Sequence, residues 1–514
     1  MSWSEGRGEK LKVRWVGFSP GLALWQVVLI ISIQVCVASV SQPSQAPATA
    51  PQMPNANPRM GIALLQQKRY EEAKEEFLRL TRTNPKSAEA FYYLGVSEMN
   101  LEDLPNAKDA FLRSLQLNPH SENAHYNLGL LLLAQKRPKE AITHFEEAAK
   151  LGPQQPESFV KLVQAYLDAG EKERALRSIQ STQGRFEDNP AFQLALGKCL
   201  LSHNLPDEAQ ASLEKANHLV PSQPDILLPL ADVYLHQKDT ARASEVLASI
   251  EGRDSHLADY HYMRARLFFL SERKEDALQE INLASQMEPQ NPIYLLTAGR
   301  FYQKYGDQQK ALSVLERAAQ LAPDLAEIPY SISVSYFITD DFDQAANFSA
   351  RALQIDPAFD RALFLLGIGR FAQGNFVEAE RSLTRALTLK PRNPFHNCFF
   401  GMLLISENRL DEALWYLQKT LTIDPSYPLA HYELGRVLER SGKYEEARAE
   451  LERAIELQPD LPEAYYVLGQ VYMRLGEGEK ADRALAIFKK YRAVEYSERR
   501  EILKQVQKAV QDTP

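Results

Sequence analysis

Residues 124–154 read AHYNLGLLLLAQKRPKEAITHFEEAAKLGPQ and residues 430–460 read AHYELGRVLERSGKYEEARAELERAIELQPD, an offset of 306 residues, or nine times 34. A 34-residue frame laid from Pro54 runs through thirteen units without a gap: 54–87, 88–121, 122–155, 156–189, 190–223, 224–257, 258–291, 292–325, 326–359, 360–393, 394–427, 428–461 and 462–495. A chain that repeats at such a period folds as stacked copies of one supersecondary unit, because no copy can bury its apolar face alone.

Three positions of the frame carry the geometry. Position 20 is alanine in all thirteen units, from Ala73 to Ala481. Position 8 is glycine in nine units and Ala231 or Ala265 in two more, with Val163 and Ser333 as the departures. Position 32 is proline in ten of the first twelve units, whereas Glu187 and Ser255 stand where it is missing. Positions 4, 8 and 11, and positions 20, 24 and 27, follow i, i+4, i+7 spacing, so each set lines one face of a helix. Each unit therefore holds two amphipathic helices. Small residues at 8 and 20 let the two backbones approach while larger ones interlock around the contact. The proline lies just past the second helix, where it cannot continue the hydrogen bonding and restricts the residue before it. The fold class is all-α, a solenoid of helix-turn-helix units. The boundaries at Glu187 (STQGRFEDNPAF) and Ser255 (ASIEGRDSHLAD) each carry a glycine; they read either as softer joints between rigid segments or as drift tolerated in a loop.

The segments YYLGVSEMN…NAKDAFLRSLQLNP, ALGKCLLSHNLPDEAQASLEKANHLVP and YELGRVLERSGKYEEARAELERAIELQP resemble the tetratricopeptide repeat family in their Leu-Gly, Tyr, Ala, Phe and Pro pattern, and the resemblance covers residues 54 to about 495. It implies a right-handed superhelix whose concave groove is lined by the first helix of each unit, with positions 2, 5, 9, 12 and 13 turned toward the groove. On that reading units 9 to 11 place Tyr330, Val334, Phe337, Phe364, Ile368, Phe371, Phe395, Met402 and Ile405 in the groove, and units 7 and 8 add Arg266, Arg300 and Lys304. An apolar stripe beside a basic patch suits an extended or helical peptide with hydrophobic anchors and acidic flanks. The competing reading makes part of the stripe internal packing. If the groove reading holds, Phe337→Asp with Phe371→Asp abolishes partner capture and leaves the array folded. The family's chaperone-tail receptors hold a carboxylate with Lys, Asn and Arg at groove positions; here position 9 never carries Asn and position 6 does so only at Asn127, so that clamp is missing.

The ends of the array differ from its body. Pro58 delays the first helix of unit 1, and YSERREILKQVQKAVQ (496–511) aligns Ile502, Leu503, Val506 and Val510 on one side, as a capping helix would. Upstream, Arg7, Lys10, Lys12 and Arg14 precede a stretch from Leu22 to Val40 without a charge, the pattern of an export signal or anchor. With the next cation at Arg59, the positive-inside rule puts the remainder across the membrane. Residues 1–40 are thus either a cleaved signal peptide or a retained anchor, and only residues 22–40 would contact a membrane. Residues 41–58, rich in Pro, Ala, Gln, Ser and Asn, read as an unfolded tether.

Other chemistry finds little footing. The charge sum, 59 basic against 67 acidic residues, gives no electrostatic reason to bind nucleic acid. His125, His261 and His431 fall on position 4, a packing slot filled by Phe91, Phe159 and Tyr465 elsewhere, and read as stand-ins for aromatics. His120/His125 and His256/His261 are five apart, not the i, i+4 spacing of a helical metal site. Cys199 and Cys398 lie six units apart, too far to bridge. With no phosphate loop and no GxSxG, neither cofactor, metal nor enzymatic activity is expected. The sequence therefore reads as an exported, periplasmic or extracellular scaffold that binds a protein or peptide partner. The alternative is a membrane-anchored structural part of an envelope assembly, secretion or pilus-type machine.

Overall fold

A computed structural model describes residues 57–182, 184–250, 252 and 257–492. The charge-free segment 22–40, nearly all of the tether, and the capping segment 496–511 lie outside them. The described residues form 26 helices and no strand, paired as thirteen hairpins in the register of the 34-residue frame. They fall into two compact units that part between His256 and Leu257, beside the boundary where Ser255 replaces proline.

In the N-terminal unit the first helices are Pro58–Gln66, Ala88–Asn100, Glu122–Ala134, Pro156–Asp168, Pro190–Ser202 and Pro224–His236; their partners are Tyr70–Thr83, Leu104–Leu117, Pro138–Leu151, Lys172–Ser181, Pro206–Leu219 and Thr240–Ala248. In the C-terminal unit the first helices are Ala258–Leu270, Pro292–Lys304, Glu327–Ile338, Asp360–Ala372, Pro394–Ser406, Pro428–Arg440 and Pro462–Arg474. The second helices there are Lys274–Met287, Gln308–Leu321, Phe342–Ile355, Phe376–Leu389, Leu410–Ile423, Tyr444–Leu457 and Gly478–Arg492. Helix 1 starts late at Pro58, as the sequence implies. Many first helices open on proline, whose missing N–H costs nothing in the first turn. Others are capped by serine, with the Ser87 and Ser121 hydroxyls accepting from the Ala90 and Ala124 amides.

The turn inside every hairpin places position 15 in the left-handed region. Five glycines do so at φ 75–85° (Gly170, Gly306, Gly374, Gly442 and Gly476), and eight other residues, among them Glu102 and Glu272, do so at φ 57–66°. An L side chain there is strained by about 1 kcal/mol. Glu102→Gly with Lys136→Gly (φ 58° at Lys136) is accordingly expected to stabilise the chain, by about 0.5–1 kcal/mol at each site after glycine's entropic cost, read as a higher urea midpoint.

The hairpins close on contacts that only small residues permit. All thirteen position-20 alanines are at most 1% exposed. Position 8 faces position 24 of its own hairpin: a Cβ on Gly61 would lie 2.5 Å from Phe77 Cζ, and one on Gly367 would lie 2.6 Å from Leu383 Cγ. Repeat 9 solves the same contact differently. Ser333 replaces the glycine and donates to the Ala345 carbonyl at 2.6 Å, while its Oγ lies 2.7 Å from that of Ser349, which replaces the large residue. The two departures compensate one another. Ser349→Leu alone is expected to cost about 1–3 kcal/mol by overpacking against Ser333. Adding Ser333→Gly should recover most of that loss, a coupling that a double-mutant thermal-unfolding cycle measures.

Neighbouring hairpins are joined at position 11. The Tyr166, Tyr234 and Tyr472 hydroxyls donate to Glu146, Glu214 and Glu452 at 2.5, 2.8 and 2.7 Å, each acid lying on the second helix of the preceding repeat. In repeats 4 and 6 the Arg174 and Arg242 guanidinium groups lie 4.6 and 4.4 Å from the same tyrosine rings. Repeat 2 puts Glu98 in this slot, 5% exposed, with Oε2 lacking a partner. Burial, opposed by Lys74 and assisted by Asp103 and Asp109, pushes its carboxyl up to about 7. The folded chain thus keeps a proton that the unfolded chain releases near pH 4.5, so stability falls as pH rises from there through 7. Glu98→Leu should remove that slope and stabilise the N-terminal unit at pH 8 by about 2 kcal/mol, seen in paired pH–denaturation series.

Second helices 4 and 6 are shortened, ending at Ser181 and Ala248, and are followed by Gly184 and Gly252 at φ +81° and +85°. These are the hairpins whose boundary proline is missing. Behind helix Lys172–Ser181, Phe186 fills the vacated space, 5.3 Å from the Phe159 ring and 4.8 Å from that of Phe192.

Candidate partner-binding site

The position-4 histidines tie each first helix to its own second helix. His261 Nδ1 lies 2.6 Å from Glu280 Oε2, and His431 Nδ1 lies 2.6 Å from Glu450 Oε2 while its Nε2 is 3.1 Å from the Pro425 carbonyl. Burial works against a charge on His431, but the bonds to Glu450 and Pro425 outweigh it and raise its affinity for a proton. In repeat 3 a second imidazole takes the place of the acid: His125 Nδ1 is 3.1 Å from His144 Nδ1. Burial, then the proximity of His125, push His144 below its ordinary range. These side chains are occupied by packing and pairing, the role their frame position implies. Among the described residues no group of three or more His, Cys, Asp or Glu is placed to hold a metal ion. Cys199 and Cys398 are free and buried, and burial pushes the Cys398 thiol well above its usual range. No helix among the described residues is long and apolar enough to cross a membrane.

The apolar stripe is mostly covered. Tyr330, Val334, Phe337, Phe364, Ile368, Met402 and Ile405 are each no more than 6% exposed and belong to the core of the C-terminal unit; Phe371 and Phe395 pack against that core from partly exposed positions. The cause lies in the helices themselves: SISVSYFI, ALFLLGIG and CFFGMLLI carry no charged side chain and are buried on nearly every side, so most of their groove-facing residues are enclosed along with the rest. Aromatic neighbours complete the enclosure, with Phe359 5.0 Å from Tyr330, Phe342 5.3 Å from Phe337 and Phe399 5.3 Å from Phe364. A partner can reach Phe371 and Phe395 directly, the former beside Phe376 at 5.9 Å and the latter beside Tyr427 at 5.5 Å. Val377, 80% exposed, extends the apolar surface next to Phe376.

The three predicted cations part company. Arg266 is buried, its guanidinium 5.6 Å from the Tyr262 ring. Lys304 Nζ pairs with Glu272 at 2.9 Å and lies 4.3 Å from the Phe269 ring centre. Arg300 donates from Nε to Ser331 Oγ at 3.3 Å and has Tyr262, Glu327, Tyr330 and Arg361 in electrostatic range. Of the predicted set the structure therefore brings together Arg300 and Tyr330. The sequence reading missed Glu327 and Arg361, although both occupy position 2, one of the groove-facing positions.

Family models agree with this architecture. A family model described as the C-terminal domain of cilia and flagella-associated protein 70 matches residues 38–225. Three tetratricopeptide repeat models match residues 200–267, 416–449 and 440–476. Among solved structures, the chain is similar to one from the APC/C hetero-tetramer Cut9-Hcn1, with 13% identity, 80% of this chain and 95% of that chain covered, and a TM-score of 0.48. It is also similar to human IFIT1 in a dimer with m7Gppp-AAAA, with 16% identity, 76% and 94% covered, and a TM-score of 0.45. No curated protein sequence matches the chain.

Proposed function

The chain is a tetratricopeptide repeat protein, and from that premise we propose that it is a non-catalytic scaffold that captures partner polypeptides on the surface of its repeats. The observation that supports this reading best is the stacking of hairpins within each unit, six in the N-terminal and seven in the C-terminal one, locked by alanine and glycine contacts into preformed surfaces. A surface ordered beforehand limits the entropy lost on binding. The anchors assigned to the partner are the apolar side chains that stay within reach, Phe371 and Phe395, with Phe376 and Val377 beside the first. Affinity capture with the full chain, followed by identification of what is retained, tests the reading. Phe371→Asp with Phe395→Asp should lose the partners and keep the wild-type circular dichroism. Retention of the same partners by a folded double variant sinks the assignment.

We further propose, from Arg7 to Arg14 and the charge-free run 22–40, that the body is exported. The mass of the mature protein distinguishes a cleaved signal from a retained anchor, and recovery of the body in the cytosol with residues 1–40 intact refutes export.

A further inference from the structure

One tripeptide in the chain has the form Asn-X-Ser/Thr with X other than proline: Asn347-Phe348-Ser349, the acceptor motif for an N-linked glycan. It falls within helix Phe342–Ile355, the second helix of repeat 9. Asn347 occupies position 22, which is exposed in all thirteen hairpins, and its side-chain amide bonds to no described residue. Ser349, two residues on, takes the opposite side of the helix, with no exposed surface and its Oγ 2.7 Å from that of Ser333. Position 24 carries Phe, Ile or Leu in the other twelve units, so serine there is the departure that completes the motif. The hairpin does not need that serine: glycine against leucine closes the same contact in repeats 8, 10 and 11.

We propose that Asn347 is the acceptor of an N-linked oligosaccharide, attached as the chain crosses the membrane. The inference rests on the export reading above, since the transfer takes place on the far side. Asn347 Nδ2 attacks the anomeric carbon of an oligosaccharide carried on a lipid pyrophosphate. The N–C1 bond forms, the C1–O bond to the pyrophosphate breaks, and the lipid pyrophosphate leaves with the electron pair. The proton lost by the amide passes to a base of the transferase. Burial sets the timing. The motif is read through its third residue, and the closed hairpin hides the Ser349 hydroxyl against Ser333, so transfer has to precede closure of repeat 9. The folded hairpin then carries the bulky sugar without displacing any contact, because position 22 faces solvent and the Asn347 amide holds nothing else in place.

The test uses the full chain made in mammalian cells, once with its own N-terminus and once behind an established secretion leader. Both forms carry Asn57→Ser, which places a second acceptor at Asn55 in the tether and so marks every chain that reaches the lumen. Serine caps the first helix as Asn57 does. Release of glycans by N-glycosidase in heavy-oxygen water turns each occupied asparagine into labelled aspartate, which peptide mass spectrometry locates. Label at both Asn55 and Asn347 is the expected result. Asn347→Gln should lose the second label and keep the wild-type circular dichroism. Ser333→Gly with Ser349→Leu, which restores the contact of the other repeats, should do the same. Label at Asn55 alone, in either form of the chain, overturns the assignment. A chain with its own N-terminus and no label at all refutes export instead, and the form with the leader then decides Asn347 by itself.

Discussion

Ala413→Arg is expected to break the C-terminal unit at its eleventh hairpin. Ala413 has no exposed surface, and its carbonyl lies 3.6 Å from where a Cβ on Gly401 would stand. A guanidinium placed there has neither room nor an acceptor, and overpacking together with an unpaired buried charge costs more than about 5 kcal/mol. Because each repeat leans only on its neighbours, the damage should spread to the hairpins on either side and stop. Circular dichroism should record lost helix and a depressed melting point, and hydrogen exchange should place the loss around residues 360–461. Ala345→Arg should do the same around repeat 9. Gln418→Arg, on an exposed face of the same second helix as Ala413, is the control and should change little. Unaltered helix content and melting in Ala413→Arg would mean that the close hairpin crossings do not exist.

Phe337→Asp is expected to unfold rather than to blunt binding. Phe337 is 2% exposed and sits edge-on to Phe342 at 5.3 Å. Removing such a ring costs about 3–5 kcal/mol, and the buried carboxylate adds to that. Phe371→Asp, at a partly exposed position, should cost about 1 kcal/mol. This corrects the expectation, drawn from frame position alone, that the pair could be mutated together without disturbing the fold. Thermal unfolding of the two single variants measures the difference, and equal melting points would place Phe337 back on the surface.

What could be read from the sequence follows from which contacts demand one residue type. Two backbones that pack closely favour Gly or Ala, so positions 8 and 20, Val163 and Ser333 apart, announce the hairpin in plain letters. The left-handed turn at position 15 went unseen because Lys, Glu, Asn, Asp and Gly all occupy it, each tolerating a strain that no single identity betrays. Ser333 looked like an isolated departure because its partner, Ser349, is visible only when positions 8 and 24 are compared within one repeat. The groove was misjudged for a different reason. Hydrophobicity at a concave position marks a docking surface only if the opposite face of the helix is what the core consumes, and in repeats 9 to 11 the core consumes nearly every face, leaving Phe371 and Phe395 partly exposed. Arg300 was found by charge and position, but its bond to Ser331 depends on distances that spacing does not encode.

The tyrosine bonds at position 11 reach only the hairpin immediately before, always to position 25. Excising one whole period therefore leaves the tyrosine at the new joint with an acceptor: with residues 428–461 removed, Tyr472 would meet Gln418, which occupies position 25 of repeat 11 and can also accept a hydrogen bond. Array length is in this sense a free variable of the design, open to lengthening or shortening by duplication and loss of 34-residue cassettes without any rewriting of the tyrosine ties.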